Sequence, residues 1–199
     1  MKLYFAPGAC SFSPHIALRE TGLPFDLVKV DLSAHKLADG SDFALINPKG
    51  YVPVLELDDG TRLTEGPAIV QYIADLKPES GLAPKDGSLD RYRLQEWLAF
   101  INSEIHKGFG PLFKDTTPEA YKTIARDNLV KRLAYVAGHL AKNDYLVGKQ
   151  FTVADGYLFT VLGWGKWTGV NVDQFPALVA YQERIARRES VRAARAAEG

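Results

Sequence analysis

The feature that most narrows the fold is a change of rhythm near residue 80. Upstream, short strand-like and helix-like runs alternate. Lys2 to Phe5 reads as a strand and Phe25 to Val30 as a second one, with a helical or irregular stretch from about Leu37 to Leu45. Pro14 to Thr21 reads as a helix, opened by Ser13 as a cap with proline at its first position and closed by Gly22. Val52 to Leu57 and Arg62 to Leu63 flank Asp58-Asp59-Gly60, a hairpin turn. Glu65 to Leu76 is helical, with Ala68, Ile69, Tyr72, Ile73 and Leu76 on one face. A right-handed βαβ unit followed by a hairpin and a helix predicts a small four-stranded mixed sheet with helices on it.

Lys77 to Leu89 is polar and broken by Pro78, Gly81, Pro84 and Gly87, which reads as a linker. Everything beyond it is helical: Asp90 to about Lys107, Pro118 to Lys142 from a Thr116 or Thr117 cap, Pro176 to Arg187, and Ser190 to Ala197. Thr152-Val153-Ala154-Asp155 is a capping pattern ahead of Tyr157, Leu158, Val161, Leu162 and Trp164, and Phe151 offers the outer half of a hydrophobic staple. That helix is apolar on most faces and belongs at the centre of a bundle. The expected division is residues 1–80, a linker over 81–87, and residues 88–199.

Bulk properties exclude several classes. Among 199 residues, 24 Lys and Arg balance 24 Asp and Glu, so no strong nonspecific attraction to nucleic acid or an anionic membrane is expected. One cysteine cannot make an internal disulfide, which excludes a disulfide-built secreted fold and suits a reducing compartment. The N-terminal run is interrupted by Pro7, Gly8 and Pro14, so no secretory leader is expected, and no apolar run approaches spanning length. The expected location is the cytoplasm.

That cysteine, Cys10, follows the first strand and precedes the first helix, a turn where free amide dipoles favour the thiolate. Cys10 to Ser13 reads C-x-x-S, a dithiol motif with its second cysteine replaced, which suits mixed-disulfide or thiolate-binding chemistry. In Gly50-Tyr51-Val52-Pro53-Val54, a cis Val52–Pro53 bond would turn the Val52 backbone groups outward, and an extended peptide could pair with them as an added strand. Thr64-Glu65-Gly66-Pro67 is a helix start whose amides can hold a carboxylate, with Glu65 able to pair with an amino group. His35 and Lys36 lie in the loop after the second strand. A small cysteine-containing peptide with a free α-amino-acid end would satisfy all of these.

The blocks MKLYFAPGACSFSPHIALRETG, NPKGYVPVLELDDGTRLTEGPAIVQYIAD, EWLAFINSEIHKGFGPLF and FTVADGYLFTVLGW together resemble bacterial glutathione S-transferases of the beta class, over essentially the whole length. The resemblance implies a thioredoxin-like N-terminal domain that binds glutathione, an all-α C-terminal domain carrying an electrophile pocket, and a homodimer. It implies conjugation of glutathione to apolar electrophiles in detoxification, with a thiol-disulfide or peroxidase side activity through Cys10. Carried over by position, Cys10 lies near the glutathione sulfur, Val52 pairs with its cysteinyl backbone beside cis-Pro53, and Glu65 and Gly66 hold the γ-glutamyl end. His106 and Lys107 are the catalytic-side pair, and Glu104 reaches the partner subunit's glutathione. Trp164 is an aromatic wall, with Phe109, Phe113 and Trp167 nearby in the electrophile pocket. The lysine expected after the second strand is either His35 or Lys36 here. Two positions depart from the family: Gly66 stands where many relatives have serine, and Ala99 where many have asparagine.

Other residues read more plainly. Asp155 satisfies backbone amides, His15 and His139 are ordinary helix residues, and no histidines share metal-ligand spacing, so no metal is expected. Arg184, Arg187, Arg188, Arg192 and Arg195 form a solvated helix face. The alternative function is a low-turnover binding protein for glutathione or a hydrophobic ligand.

Overall fold

A computed structural model describes residues 1–199. Strand β1 (Lys2–Phe5) is the axis of the first unit, with Leu3, Tyr4 and Phe5 all buried. It pairs in parallel with β2 (Asp26–Asp31), and helix α1 (Phe12–Thr21) forms the crossover. On its other side β1 pairs antiparallel with β4 (Val54–Glu56), in the register Leu3↔Leu55 and Tyr4↔Val54. The hairpin continues to β5 (Arg62–Thr64), and the turn closes with Gly60 N–H on Leu57 O at 3.0 Å.

A fifth strand, β3 (Lys36–Leu37), pairs antiparallel with β2, giving the order β3-β2-β1-β4-β5. The stretch read as helical or irregular therefore begins as an edge strand, and only Phe43–Leu45 makes a single 3₁₀ turn. Two paired residues are too few to show alternation in a sequence.

Helix α1 starts two residues earlier than expected. Its N-cap is Ser11 rather than Ser13, and the Ser11 hydroxyl bonds both the N–H and the C=O of Ala6 at 3.2 Å instead of capping the helix. At the far end Gly22 has φ 66°, a left-handed cap that a side chain would strain, and its N–H reaches Leu18 O. Helix α2 (Gly66–Leu76) buries Ile69, Val70, Ile73 and Ala74. The buried stripe is rotated from the expected one, leaving Ala68 and Leu76 exposed and Tyr72 half-buried.

The second unit begins with α3 (Leu89–Phe100), capped by the Ser88 hydroxyl on Arg91 N–H at 3.2 Å. The expected single helix to Lys107 is interrupted by a π-helical segment, Ile101–His106, whose wide turn closes with Lys107 N–H on Asn102 O. A short helix, α4 (Lys107–Phe109), follows. Gly108 packs closely there: a Cβ would meet Leu129 Cδ2 at 2.9 Å and push that side chain aside. Leu129 lies on α5 (Glu119–Leu140), which opens at Pro118 with no side-chain cap from either threonine.

Helix α6 (Val153–Leu162) is buried at every position, as its all-round apolar sequence requires. Asp155 accepts from Thr152 N–H at 2.8 Å, Leu146 N–H at 2.9 Å, the Thr152 hydroxyl at 2.9 Å and the Tyr181 hydroxyl at 3.0 Å. Burial pushes its carboxyl up, and these donors oppose the shift. A short α7 (Gly165–Thr168) and α8 (Pro176–Ala186) complete the unit.

The last helix, α9 (Glu189–Glu198), packs with the first unit, so the compact units are Met1–Ala83 with Arg188–Gly199, and Pro84–Arg187. Partly buried polar ties account for that placement. Arg188 makes two hydrogen bonds to the Glu20 carboxylate, at 2.6 and 2.9 Å, and the Ser190 hydroxyl joins them. Burial alone would push the Glu20 carboxyl up, but Arg188 and Ser190 outweigh it and hold it below its ordinary range. His15, fully buried, accepts from Arg19 Nε at its Nε2 and faces Glu198 through Nδ1 at 2.9 Å. His15 and Arg188 are thus structural ties rather than an ordinary helix residue and a solvated charge.

Candidate active site

Cys10 sits one residue ahead of the α1 N-cap, half-buried, in a turn closed by Phe12 N–H on Ala9 O and Ser13 N–H on Cys10 O. Those first-turn amides, expected to face the sulfur, are taken by backbone carbonyls. The Cys10 thiol instead donates to Val52 O at 3.2 Å. The Ser13 hydroxyl, the last position of C-x-x-S, is buried without a hydrogen-bond partner.

The Val52–Pro53 peptide bond is cis. The turn before it is fixed by Asn47, whose side-chain amide donates to Tyr51 O at 2.7 Å and whose oxygen accepts from Lys49 N–H at 3.2 Å. Val52 is buried, and its N–H makes no hydrogen bond within the chain. Buried backbone donors are almost always paired, so an unpaired one beside the Cys10 thiol is open to an added carbonyl.

Glu65 precedes α2 with φ 68°, a left-handed conformation rare outside glycine. Such backbone strain clusters where a site needs a specific amide direction. Its carboxylate accepts from Lys49 Nζ at 2.8 Å, and the same ammonium donates to the Thr64 hydroxyl at 2.9 Å. Gly66 has no neighbour within 4 Å of where a Cβ would stand, so a serine would fit there. Of the two candidates after β2, His35 has φ 54° and lays its ring against Gly50, while Lys36 is exposed on β3.

In the second unit, the π-helical segment presents Asn102 and His106 to Tyr157 on α6. His106 Nδ1 lies 2.6 Å from the Tyr157 hydroxyl, which donates to Asn102 Oδ1 at 3.0 Å. Trp164 packs edge-on to the His106 ring, with centroids 4.8 Å apart. Phe109 and Phe113 meet Trp164 at 5.7 and 5.5 Å, both near perpendicular.

The structure therefore brings Cys10, Val52 and Pro53 together, sets Glu65 and Gly66 at the start of α2, and gathers His106, Phe109, Phe113 and Trp164. Phe109 is fully buried and backs Trp164, whereas Phe113 offers 48% of its surface. Trp167 stands apart from that cluster, exposed under Lys166 Nζ at 4.5 Å. Glu104 is tied to Arg132 at 2.7 Å, and Lys107 is exposed at the head of α4. Sequence reasoning missed Lys49, Asn102 and Tyr157. Lys49 falls inside the NPKGYVPV block, four residues before Pro53, which was the available signal. No three His, Cys, Asp or Glu side chains are arranged to hold a metal. No helix is long and apolar enough to cross a membrane.

A thioredoxin-like mixed sheet followed by an all-helical unit is the architecture of the glutathione transferases. Comparison with known proteins agrees. Residues 8–76 match the glutathione S-transferase N-terminal domain and residues 100–189 the C-terminal domain. Glutathione S-transferase GstA of Escherichia coli O157:H7 is 48% identical over 100% of this chain and 99% of that protein. The structure of a ternary complex of BphK, a bacterial glutathione S-transferase, is 54% identical, with a TM-score of 0.98 and full coverage of both chains. A beta-class enzyme of Sphingomonas chungbukensis is 50% identical with a TM-score of 0.97, over 100% of this chain and 99% of that one. The chain belongs to the glutathione S-transferase family, and its relatives place it in the beta class.

Proposed function

We propose that this chain conjugates glutathione to apolar electrophiles. The observation that carries the reading is the unpaired Val52 N–H, which lies beside the Cys10 thiol that donates to Val52 O. Glutathione's cysteinyl residue pairs with Val52 as an added strand, which brings its sulfur to the Cys10 side of the turn. Its γ-glutamyl carboxylate meets the amides that open α2, where backbone strain at Glu65 sets their direction. The α-amino group pairs with the Glu65 carboxylate, which Lys49 orients. Either His35 or Lys36 contacts the peptide's other end.

His106 accepts the proton of the glutathione thiol, with Lys107 beside it stabilising the negative charge. The thiolate attacks the electrophilic carbon, a C–S bond forms, and a halide or comparable group leaves with its electron pair. Trp164 and Phe113 supply the apolar wall for the electrophile, with Phe109 behind it.

Cys10 also exchanges with oxidised glutathione. Its thiolate attacks one sulfur of the disulfide, forms a mixed disulfide and releases one glutathione thiolate. No second cysteine exists to resolve the adduct. A single cysteine that forms no disulfide suits the reducing cytoplasm.

The protein works as a homodimer. Two features of the surface support that reading: the apolar positions Ala68 and Leu76 left exposed on α2, and a cleft of about 560 Å³ where Trp97, Phe100 and Tyr135 are flanked by Arg93, Glu96, Arg132 and His139. Glu104 reaches the second copy's glutathione.

The test is retention on glutathione resin together with conjugation of a chromogenic aryl halide. Retention with a glutathione-dependent rate supports a transferase. Retention without a rate makes the chain a low-turnover binding protein.

A further inference from the structure

The hydrogen-bond chain behind His106 decides which of its nitrogens can take a proton. The Tyr157 hydroxyl has one hydrogen, and Asn102 Oδ1, 3.0 Å away, can only accept it. The Tyr157 oxygen is then the acceptor in its 2.6 Å contact with His106, so Nδ1 carries the imidazole hydrogen. A neutral ring with hydrogen on Nδ1 has its lone pair on Nε2. Trp164, edge-on at 4.8 Å, packs against the ring and resists its turning over. Asn102 and His106, both on the π-helical turn, meet the same phenol.

We infer that Tyr157 and Asn102 are positioning residues that hold His106 in its Nδ1–H tautomer and so make Nε2 the proton-accepting atom of the site. The inference rests on the reading of His106 as the group that takes the thiol proton. In that step the S–H proton passes to Nε2 and the sulfur keeps the electron pair. The imidazolium that forms goes on donating through Nδ1–H to the Tyr157 oxygen, and the phenol keeps its hydrogen, donated to Asn102 Oδ1. Removing the phenol takes away the oxygen that Nδ1–H donates to, and with it the contact that fixes the tautomer. Replacing Asn102 with an apolar residue frees the phenol proton to bond Nδ1, which moves the imidazole hydrogen to Nε2 and removes the base. A carboxylate at 102 keeps the phenol proton where it is and favours the charged ring.

The experiment is a steady-state pH–rate series on the full chain for Tyr157→Phe, Asn102→Leu and Asn102→Asp, with His106→Asn beside them. Tyr157→Phe and Asn102→Leu should each lower kcat by about 10-fold, with KM for glutathione within about twofold. Asn102→Asp should keep most of kcat and move the acid limb of the profile to higher pH. Wild-type kcat and profile in both Tyr157→Phe and Asn102→Leu, while His106→Asn loses turnover, would overturn the positioning role and leave the His106 reading standing. Wild-type turnover in His106→Asn would overturn that reading itself. Ring ¹⁵N shifts of His106 in the unaltered protein give an answer that needs no variant to fold. Hydrogen on Nδ1 is expected, and hydrogen on Nε2 of the neutral ring would contradict the inference.

Discussion

The two regions that carry Cys10 and His106 are built by opposite means. Around Cys10 the work is done by main chain: a carbonyl accepts the thiol, Val52 N–H is left unpaired, and backbone strain at Glu65 aims the start of α2. Around His106 the work is done by side chains: a phenol, an amide and an indole fix one imidazole. Main-chain recognition tolerates change at most positions because any residue supplies the same amide. A side-chain network loses its geometry when one member goes. The first region should therefore govern binding and the second turnover, and substitutions can break or sharpen that contrast.

The largest effect is expected at Cys10. Incubation with oxidised glutathione should add one glutathionyl mass to the protein, and Cys10→Ala, which removes the chain's only thiol, should abolish it. Mass spectrometry reads this directly. An unaltered protein that forms no adduct would show that the main-chain region does not bring a glutathione sulfur to Cys10.

Next is Asp155, which anchors the helix that carries Tyr157. Asp155→Ala removes a reciprocal cap and strands the donors of Leu146, Thr152 and Tyr181. The loss should be about 3 kcal/mol, or roughly 6–12 °C in thermal midpoint. A midpoint within a degree of the unaltered protein would mean that the support of the side-chain region is looser than its hydrogen bonds imply.

Lys49→Ala should have the smallest effect. Its ion pair with Glu65 is half exposed, so glutathione affinity should fall only about two- to fivefold, less at high salt, with kcat unchanged. A matching fall in kcat would blur the division between the regions. Calorimetric titration beside steady-state rates separates the two outcomes.

The sequence discloses these regions unequally, for a physical reason. Proline and glycine punctuate backbone, so the Asp58-Asp59-Gly60 turn, the Pro53 corner, the Gly22 stop and the order of β1, α1, β2, β4, β5 and α2 could be read from spacing. Asp155 was legible as a cap because its partner Thr152 is three residues away, and α6 as central because it is apolar all round. Position alone did not distinguish Ser11 from Ser13 as the start of α1, since both are small and polar. The rotated face of α2 depends on which neighbour it packs against, which periodicity does not encode. The π turn at Ile101–His106 is a change of hydrogen-bond register with no residue signature. Tyr157 is 51 residues from His106 and Lys49 is 16 from Glu65. Partnerships at that range are made by the fold. The Glu20–Arg188 and His15–Glu198 ties, which draw α9 onto the first unit, span 168 and 183 residues and were invisible for the same reason.

The contrast between the two regions is tested most directly by one variant measured two ways: glutathione dissociation constant and kcat for aryl-halide conjugation in His106→Ala. The account predicts that kcat falls by about 100-fold while the dissociation constant stays within about twofold. Equal losses in both would contradict it and make His106 part of the binding surface.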